Sequence, residues 1–143
     1  MNTPLRHVLV LFEPGSSGKA ALDLARELAE RDDAGVTVLA VVPMAPSGTR
    51  CGNSASEFND IVRDAVADEL DQARAQLVEI GDRADFRLLV EGSDPPLPEW
   101  VRGAGVDVVL LPSRRRPLRS RKHPAAGALE RTTDAEIRIV DAR

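Results

Sequence analysis

Apolar and polar positions along this chain fall into blocks, and the spacing inside each block predicts an element. His7 to Phe12 is a short, continuous apolar run. A strand without alternation is one covered on both faces. The turn Glu13-Pro14-Gly15-Ser16 follows, and Ser16 or Ser17 is placed to cap the next helix. That helix carries Ala21, Leu24, Ala25, Leu28 and Ala29 on one face and runs to about Arg31. Asp32 to Gly35 ends it, and Val36 to Val42 is a second buried strand rich in β-branched residues. Pro43 to Asn53 is polar and long for a connection, so it reads as a lid or as disordered chain.

A long helix is predicted from Ser54, where Glu57 three residues on completes a capping box. Its apolar stripe is Phe58, Ile61, Val62, Ala65, Val66, Leu70, Ala73, Leu77 and Ile80, and Gly81 stops it. Asp85 to Glu91 is a third strand. Asp94 then caps a short helix with Pro95 at its first position, and Leu97, Trp100 and Val101 face the sheet. Pro98 keeps this helix short, and Gly103 and Gly105 close it. Val106 to Leu111 is a fourth apolar strand with Asp107 near its start. A short helix is expected from Pro124 to Arg131. Glu136 to Val140 alternates cleanly, as an edge strand does. Strands and helices that alternate in this order predict an α/β fold: one domain over residues 1–143, an open five-stranded parallel sheet with helices on both faces.

Composition narrows the function classes. Aromatics make up only 3%, which argues against base-stacking platforms for single-stranded nucleic acid. The single cysteine, Cys51, excludes an intramolecular disulfide and a cysteine-based metal site, and its polar surroundings mark an exposed bystander thiol. No signal peptide and no run of about 20 apolar residues is seen, so a cytoplasmic protein with no membrane association is expected. The net charge of −4 is uneven: Arg114 to Lys122 holds six basic residues and no acid. Net acidity and scarce aromatics count against nucleic acid as a partner.

Two segments carry candidate chemistry. Glu13-Pro14-Gly15-Ser16-Ser17-Gly18-Lys19 joins a strand to a helix N-terminus, where backbone N–H groups hold anions. A phosphate-binding Walker loop is excluded, because Glu13 and Ala20 stand where that motif needs glycine and a hydroxyl residue. The plainer reading is an ordinary βα turn; the functional one is a ligand contact through Glu13, Gly15, Ser16 and Ser17. The second segment is Ser113 followed by Arg114, Arg115, Arg116, Arg119, Arg121 and Lys122. In open α/β sheets ligands bind at the carboxyl ends of the strands, at the switch point, where strands one and four should be neighbours. The two loops should therefore meet there. Guanidinium forks suit phosphates, so the second segment reads either as a site for a phosphorylated small molecule or an acidic macromolecular partner, or as a solvated charged loop. His7 lies at the foot of strand one and His123 ends the basic segment. Neither has a partner at metal-ligand or triad spacing, so no metal and no catalytic residue is expected. The helix carboxylates Glu27, Glu30, Asp60, Asp64, Asp68 and Glu69 read as solvated faces.

Three stretches together resemble the universal stress protein family: His7 to Ala29, Val90-Glu91-Gly92-Ser93-Asp94-Pro95, and Gly105 to Ser113. The resemblance spans nearly the whole chain. It implies a Rossmann-like fold of the universal stress protein type, a non-catalytic stress-response or regulatory role, and a homodimer through the last strand, with Ile137, Arg138, Ile139 and Val140 at the interface. Against the ATP-binding branch of that family the glycines after strand four fall on Pro112, Arg115 and Ala125 or Ala126, and Ser113 alone is retained. The family's strand-one aspartate falls on Glu13 and its following glycine on Pro14. Proline has no N–H to offer and arginine adds a bulky side chain where backbone must approach phosphate. The departure implies a degenerate nucleotide-binding site with no bound cofactor, ATP and AMP both being disfavoured.

Overall fold

The computed structural model describes residues 5–13, 16–42, 55–90, 94–113 and 126–141, with side chains in the second helix from residue 60 onward. The elements follow the predicted alternation: β1 (His7–Leu11), α1 (Ser16–Asp32), β2 (Gly35–Val42), α2 (Ala55–Gln76), β3 (Ala84–Val90), α3 (Leu97–Ala104), β4 (Val108–Pro112), α4 (Ala126–Thr132) and β5 (Glu136–Val140). All strand pairs are parallel, in the order β3-β2-β1-β4-β5. The chain therefore reverses direction across the sheet between β1 and β4, the neighbours expected from the sequence.

Alternate residues of each strand point to opposite faces, so the continuous apolar runs build two cores. On one face Val8, Val10, Val36, Val38, Val108 and Leu110 pack against α1 and α2 through Ala21, Leu22, Ala25, Leu28, Leu70 and Ala73. On the other, Leu9, Leu11, Leu39, Val109 and Leu111 meet Val101 of α3 and Ala126 and Leu129 of α4. Leu97 and Trp100 flank this second core, partly buried, as their spacing predicts. Strands β1 and β4 sit under helices on both sides, which is why they carry no polar alternation.

The second helix departs from its sequence reading. It ends at Gln76 rather than at Gly81, and Val78–Arg83 continues as a 3₁₀ helix. At three residues per turn Leu77 and Ile80 both face the core while Val78, 72% exposed, faces water. Gly81 adopts φ +55°, a backbone that other residues rarely take, and turns the chain into β3. The apolar stripe was also drawn too wide. Ile61 is 69% exposed and Ala65 is exposed, on the helix side away from Leu70 and Ala73. Ser54 and Cys51 lie outside the described residues, as does the segment 43–53.

Helix α3 starts later than expected. Pro96 is its N-cap, with no side-chain capping bond, and Pro98 lies in its first turn. Asp94 instead closes the turn after β3: its carboxylate accepts the Val90 N–H at 2.6 Å and its own N–H donates to the Val90 carbonyl at 2.9 Å. Gly105, at φ +68°, ends the helix in the left-handed conformation expected of a C-terminal glycine.

The amino ends of the strands are tied by a residue whose role the sequence did not announce. Asp107 sits just before β4, and its Oδ2 accepts the backbone N–H groups of Arg6 at 2.7 Å and His7 at 2.9 Å. Its own N–H donates to the His7 carbonyl and its carbonyl accepts from Glu136, both at 3.0 Å. One aspartate thus clamps β1, β4 and β5 at their starts. His7 Nε2 pairs with Thr37 Oγ1 at 2.7 Å at the same end of the sheet, far from the crevice.

Candidate functional site

The carboxyl ends of β1 and β4 bring one residue of each candidate segment together. Ser17 Oγ and Ser113 Oγ lie 3.2 Å apart, linking the first turn of α1 to the residue that follows β4. Ser16 and Ser17 are inside the helix, at its first two positions, rather than capping it. Ser17 therefore spends its hydroxyl across the crevice. Ser113 is nearly buried, at 8% exposure. Of the other candidate residues, Glu13 borders the crevice, half-buried, while Gly15, Arg114, Arg115, Arg116, Arg119, Arg121 and Lys122 lie outside the described residues.

At the end of β4 neither Pro112 nor Ser113 has a backbone donor to spare. Pro112 closes β4 in register with Val140 and has no N–H. The Ser113 N–H is already used, donating to the Val140 carbonyl at 2.9 Å. The two positions therefore extend the sheet ladder instead of presenting a phosphate cradle.

Gly18 shapes the other wall. A Cβ at Gly18 would lie 3.0 Å from the Glu13 carbonyl carbon and closer still to its oxygen. The Glu13 carbonyl thus lies directly against the first turn of α1. The strand-glycine-serine pattern carries a signal for this close approach, although the sequence reading assigned Gly18 no role.

Beside the crevice, a cavity of about 120 Å³ opens between the ends of β1 and β2 and helix α2. Leu11, Phe12, Ala40, Val41 and Val66 give it apolar walls, and Glu13 and Glu69 complete the lining. Glu69 is thus more than a solvated helix carboxylate: it is half-buried and borders this space. A cavity near 150 Å³ takes one small ring, whereas pockets for drug-sized ligands run to roughly 300–1,000 Å³. Among the described residues no group of three His, Cys, Asp or Glu side chains is arranged to hold a metal ion, and no helix is long and apolar enough to cross a membrane.

At the far edge of the sheet, β5 keeps Ile137 and Ile139 against the second core and Val140 against the first. On the strand, the Arg138 guanidinium bonds the Glu136 carboxylate and holds its pKa below the usual carboxylate range.

Known structures agree with this geometry. A universal stress protein family member from Burkholderia pseudomallei superposes with a TM-score of 0.72 at 22% identity, covering 98% of each chain. UspA from Lactobacillus plantarum gives 0.78 at 16% identity, covering 97% of this chain and 99% of that one. A universal stress protein family protein from Arabidopsis thaliana with AMP bound gives 0.64 at 14% identity, over 96% and 92%. At these identities the likeness speaks to the fold. No curated protein matches the sequence. The universal stress protein family itself matches residues 4–138, nearly the whole chain. With the sheet order and the contact of Ser17 with Ser113 at the ends of β1 and β4, that match means this chain belongs to the universal stress protein family.

Proposed function

We propose that this chain is a non-catalytic regulatory protein of the stress-response kind that does not grip ATP through a backbone cradle. One observation carries the reading: at the end of β4, Pro112 lacks an N–H and the Ser113 N–H is bound to the Val140 carbonyl at 2.9 Å. A phosphate chain there would meet no free backbone donor from either residue. Such a protein acts by binding an acidic macromolecular partner, and as a homodimer through β5, whose outer edge pairs with no strand among the described residues. Isothermal titration with ATP and AMP at low and at physiological salt tests it. No saturable heat with ATP is expected. Tight stoichiometric ATP binding that survives replacement of Arg114, Arg115 and Arg116 by alanine would overturn it.

A second reading is favoured by the Ser17–Ser113 contact. It anchors the root of the Arg114–Lys122 segment against the start of α1, at the strand ends where open α/β sheets bind ligands. An AMP-bound relative shares the fold. Here arginine side chains replace the glycine backbone, and a phosphorylated small molecule binds in a different pose. Binding of AMP or inorganic polyphosphate that weakens with salt and vanishes in the triple-alanine variant is the result that distinguishes this reading.

A further inference from the structure

At the edge of the sheet opposite β5, strand β3 shows which of its groups face outward by the bonds at its two ends. The Ala84 N–H donates to the Gly81 carbonyl. The Val90 N–H and carbonyl are both taken by Asp94, through its carboxylate at 2.6 Å and its own N–H at 2.9 Å. In a strand the N–H and C=O of one residue point the same way and those of the next point oppositely. Asp85, Arg87 and Leu89 therefore bond toward β2, while Phe86 and Leu88 direct their groups outward. Local turns close both ends of this edge and leave a window at Phe86 and Leu88, where no strand pairs among the described residues. On the α2 face Phe86 and Leu88 are partly buried, and the Arg74 guanidinium lies 4.6 Å from the Phe86 ring centroid. On the other face Asp85 and Arg87 are exposed, Arg87 Nε donating to Asp85 Oδ2 at 2.7 Å.

The charges that flank Phe86 are complementary to themselves. An antiparallel copy of β3 can meet the window in three registers. Centred on Leu88, Phe86 faces Val90, whose groups Asp94 already holds, and Arg87 faces Leu89. Centred on Arg87, the two guanidinium groups face each other in the closely spaced, non-hydrogen-bonded position, which like charges disfavour. Centred on Phe86, the two Phe86 residues exchange a pair of hydrogen bonds, and each Leu88 N–H reaches the Ala84 carbonyl of the other copy. Asp85 of each strand then faces Arg87 of the other in the close position, so one pair within a strand becomes two across the axis. The two Phe86 rings meet on the α2 face as a cross-strand aromatic pair.

We propose that the β3 edge is a second docking surface of this chain, and that its occupant is β3 of another copy, antiparallel and centred on Phe86. Asp85 and Arg87 set the register and Phe86 is the apolar anchor at the two-fold axis. The surface is separate from β5 and stands whether or not β5 is paired. The turns at Gly81 and Asp94 limit the contact to a few hydrogen bonds, so the association is weak and concentration-dependent.

Amide hydrogen exchange of the full chain, followed by NMR from low micromolar to millimolar concentration, tests it. In the isolated chain the Phe86 and Leu88 amides are open to water; they should become protected as concentration rises. Pairing at β5 cannot produce that signal, because it engages the opposite edge. Asp85→Arg and Arg87→Asp each place like charges opposite each other twice and should raise the concentration of half-protection about tenfold. An equimolar mixture of the two variants sets arginines on one strand against aspartates on the other and should restore the parent's value. The double variant Asp85→Arg/Arg87→Asp rebuilds both pairs between identical copies and should restore it too, which separates pairing from damage to β3. Exchange at Phe86 and Leu88 that does not change with concentration in the parent would overturn the docking surface. Protection indifferent to the single charge reversals, or not rescued by the mixture, would overturn the register and with it the proposal.

Discussion

Replacing Gly18 by alanine sets two effects of opposite sign against each other. In a helix, alanine is favoured over glycine by about 1 kcal/mol, so at an open position the change stabilises. At Gly18 the new Cβ would sit 3.0 Å from the Glu13 carbonyl carbon and nearer its oxygen. The obstructing group is backbone, fixed between β1 and the start of α1, and cannot swing aside as a side chain would. Overpacking of this kind costs about 1–3 kcal/mol and sometimes more. With a backbone clash at the upper end of that range the clash outweighs the propensity gain, and the net expectation is a loss of about 2 kcal/mol, or about 7 °C in Tm for a domain of this size. Gly103→Ala supplies the internal control: that position is also in a helix, α3, with nothing within 4 Å of the added carbon, and it should gain about 0.5–1 kcal/mol. Urea unfolding followed by circular dichroism measures both. If Gly18→Ala proves as stable as the parent, the Glu13 carbonyl does not press on Gly18, and the reasoning about this wall of the crevice fails.

Two further perturbations probe the ties around the sheet. Asp107→Ala removes the acceptor of two backbone N–H groups and should lower stability by about 1–2 kcal/mol in urea titration, with Asp107→Asn recovering part of that because it keeps one acceptor oxygen. Asp32 carries a carboxyl held below its ordinary range, first by the Arg31 guanidinium and then by the Leu5 N–H it accepts at 2.9 Å. Its folded pKa is lower than its unfolded one, so its contribution is complete above the ordinary carboxylate range and disappears as pH falls through the folded value. Asp32→Asn should therefore narrow the stability difference between pH 7 and pH 3 in parallel thermal melts; an unchanged difference would remove Asp32 from the acid response.

Much of this architecture could be read from the chain because buried parallel strands leave an unambiguous trace. The apolar runs at His7–Leu11, Gly35–Val42 and Val108–Pro112 have no polar alternation, since helices cover both faces. The switch-point rule makes strands one and four neighbours, and within the loops 13–18 and 112–123 that it brings together Ser17 and Ser113 are in contact. What escaped depended on register or on competition between nearby groups. Asp107 binds residues about a hundred positions away, and only the pairing of Val8 with Val108 brings it there. Asp94 met the pattern for a helix cap, yet the Val90 N–H lay in reach and took its carboxylate. Ile61 fits the apolar stripe of α2 because it lies three residues from Phe58 and four from Ala65 in sequence, although the helix leaves it 69% exposed. Leu77 and Ile80 fit an α-helical spacing as well as the tighter 3₁₀ one, so periodicity alone did not locate the break after Gln76.

Ser113 shows why the loss of glycines after β4 reaches beyond the crevice. Its hydroxyl faces Ser17 while its N–H completes the ladder to Val140. In a glycine-lined turn the chain leaves the strand at once and its N–H groups converge on an anion. Here Pro112 stays in strand geometry, paired with Val140, and Ser113 continues the bonding to β5. An anion in the crevice could draw on the Ser113 N–H only by displacing the Val140 carbonyl, which would strip the end of the edge strand. The sheet therefore competes with any phosphate for the same donor. A ligand that binds here without loosening β5 takes no backbone donor from the end of β4, and among the described residues is left with the first turn of α1 and the Ser17 and Ser113 hydroxyls. The Ser113 N–H, which a phosphate could have used in a glycine-rich loop, serves in this chain to hold the end of the edge strand.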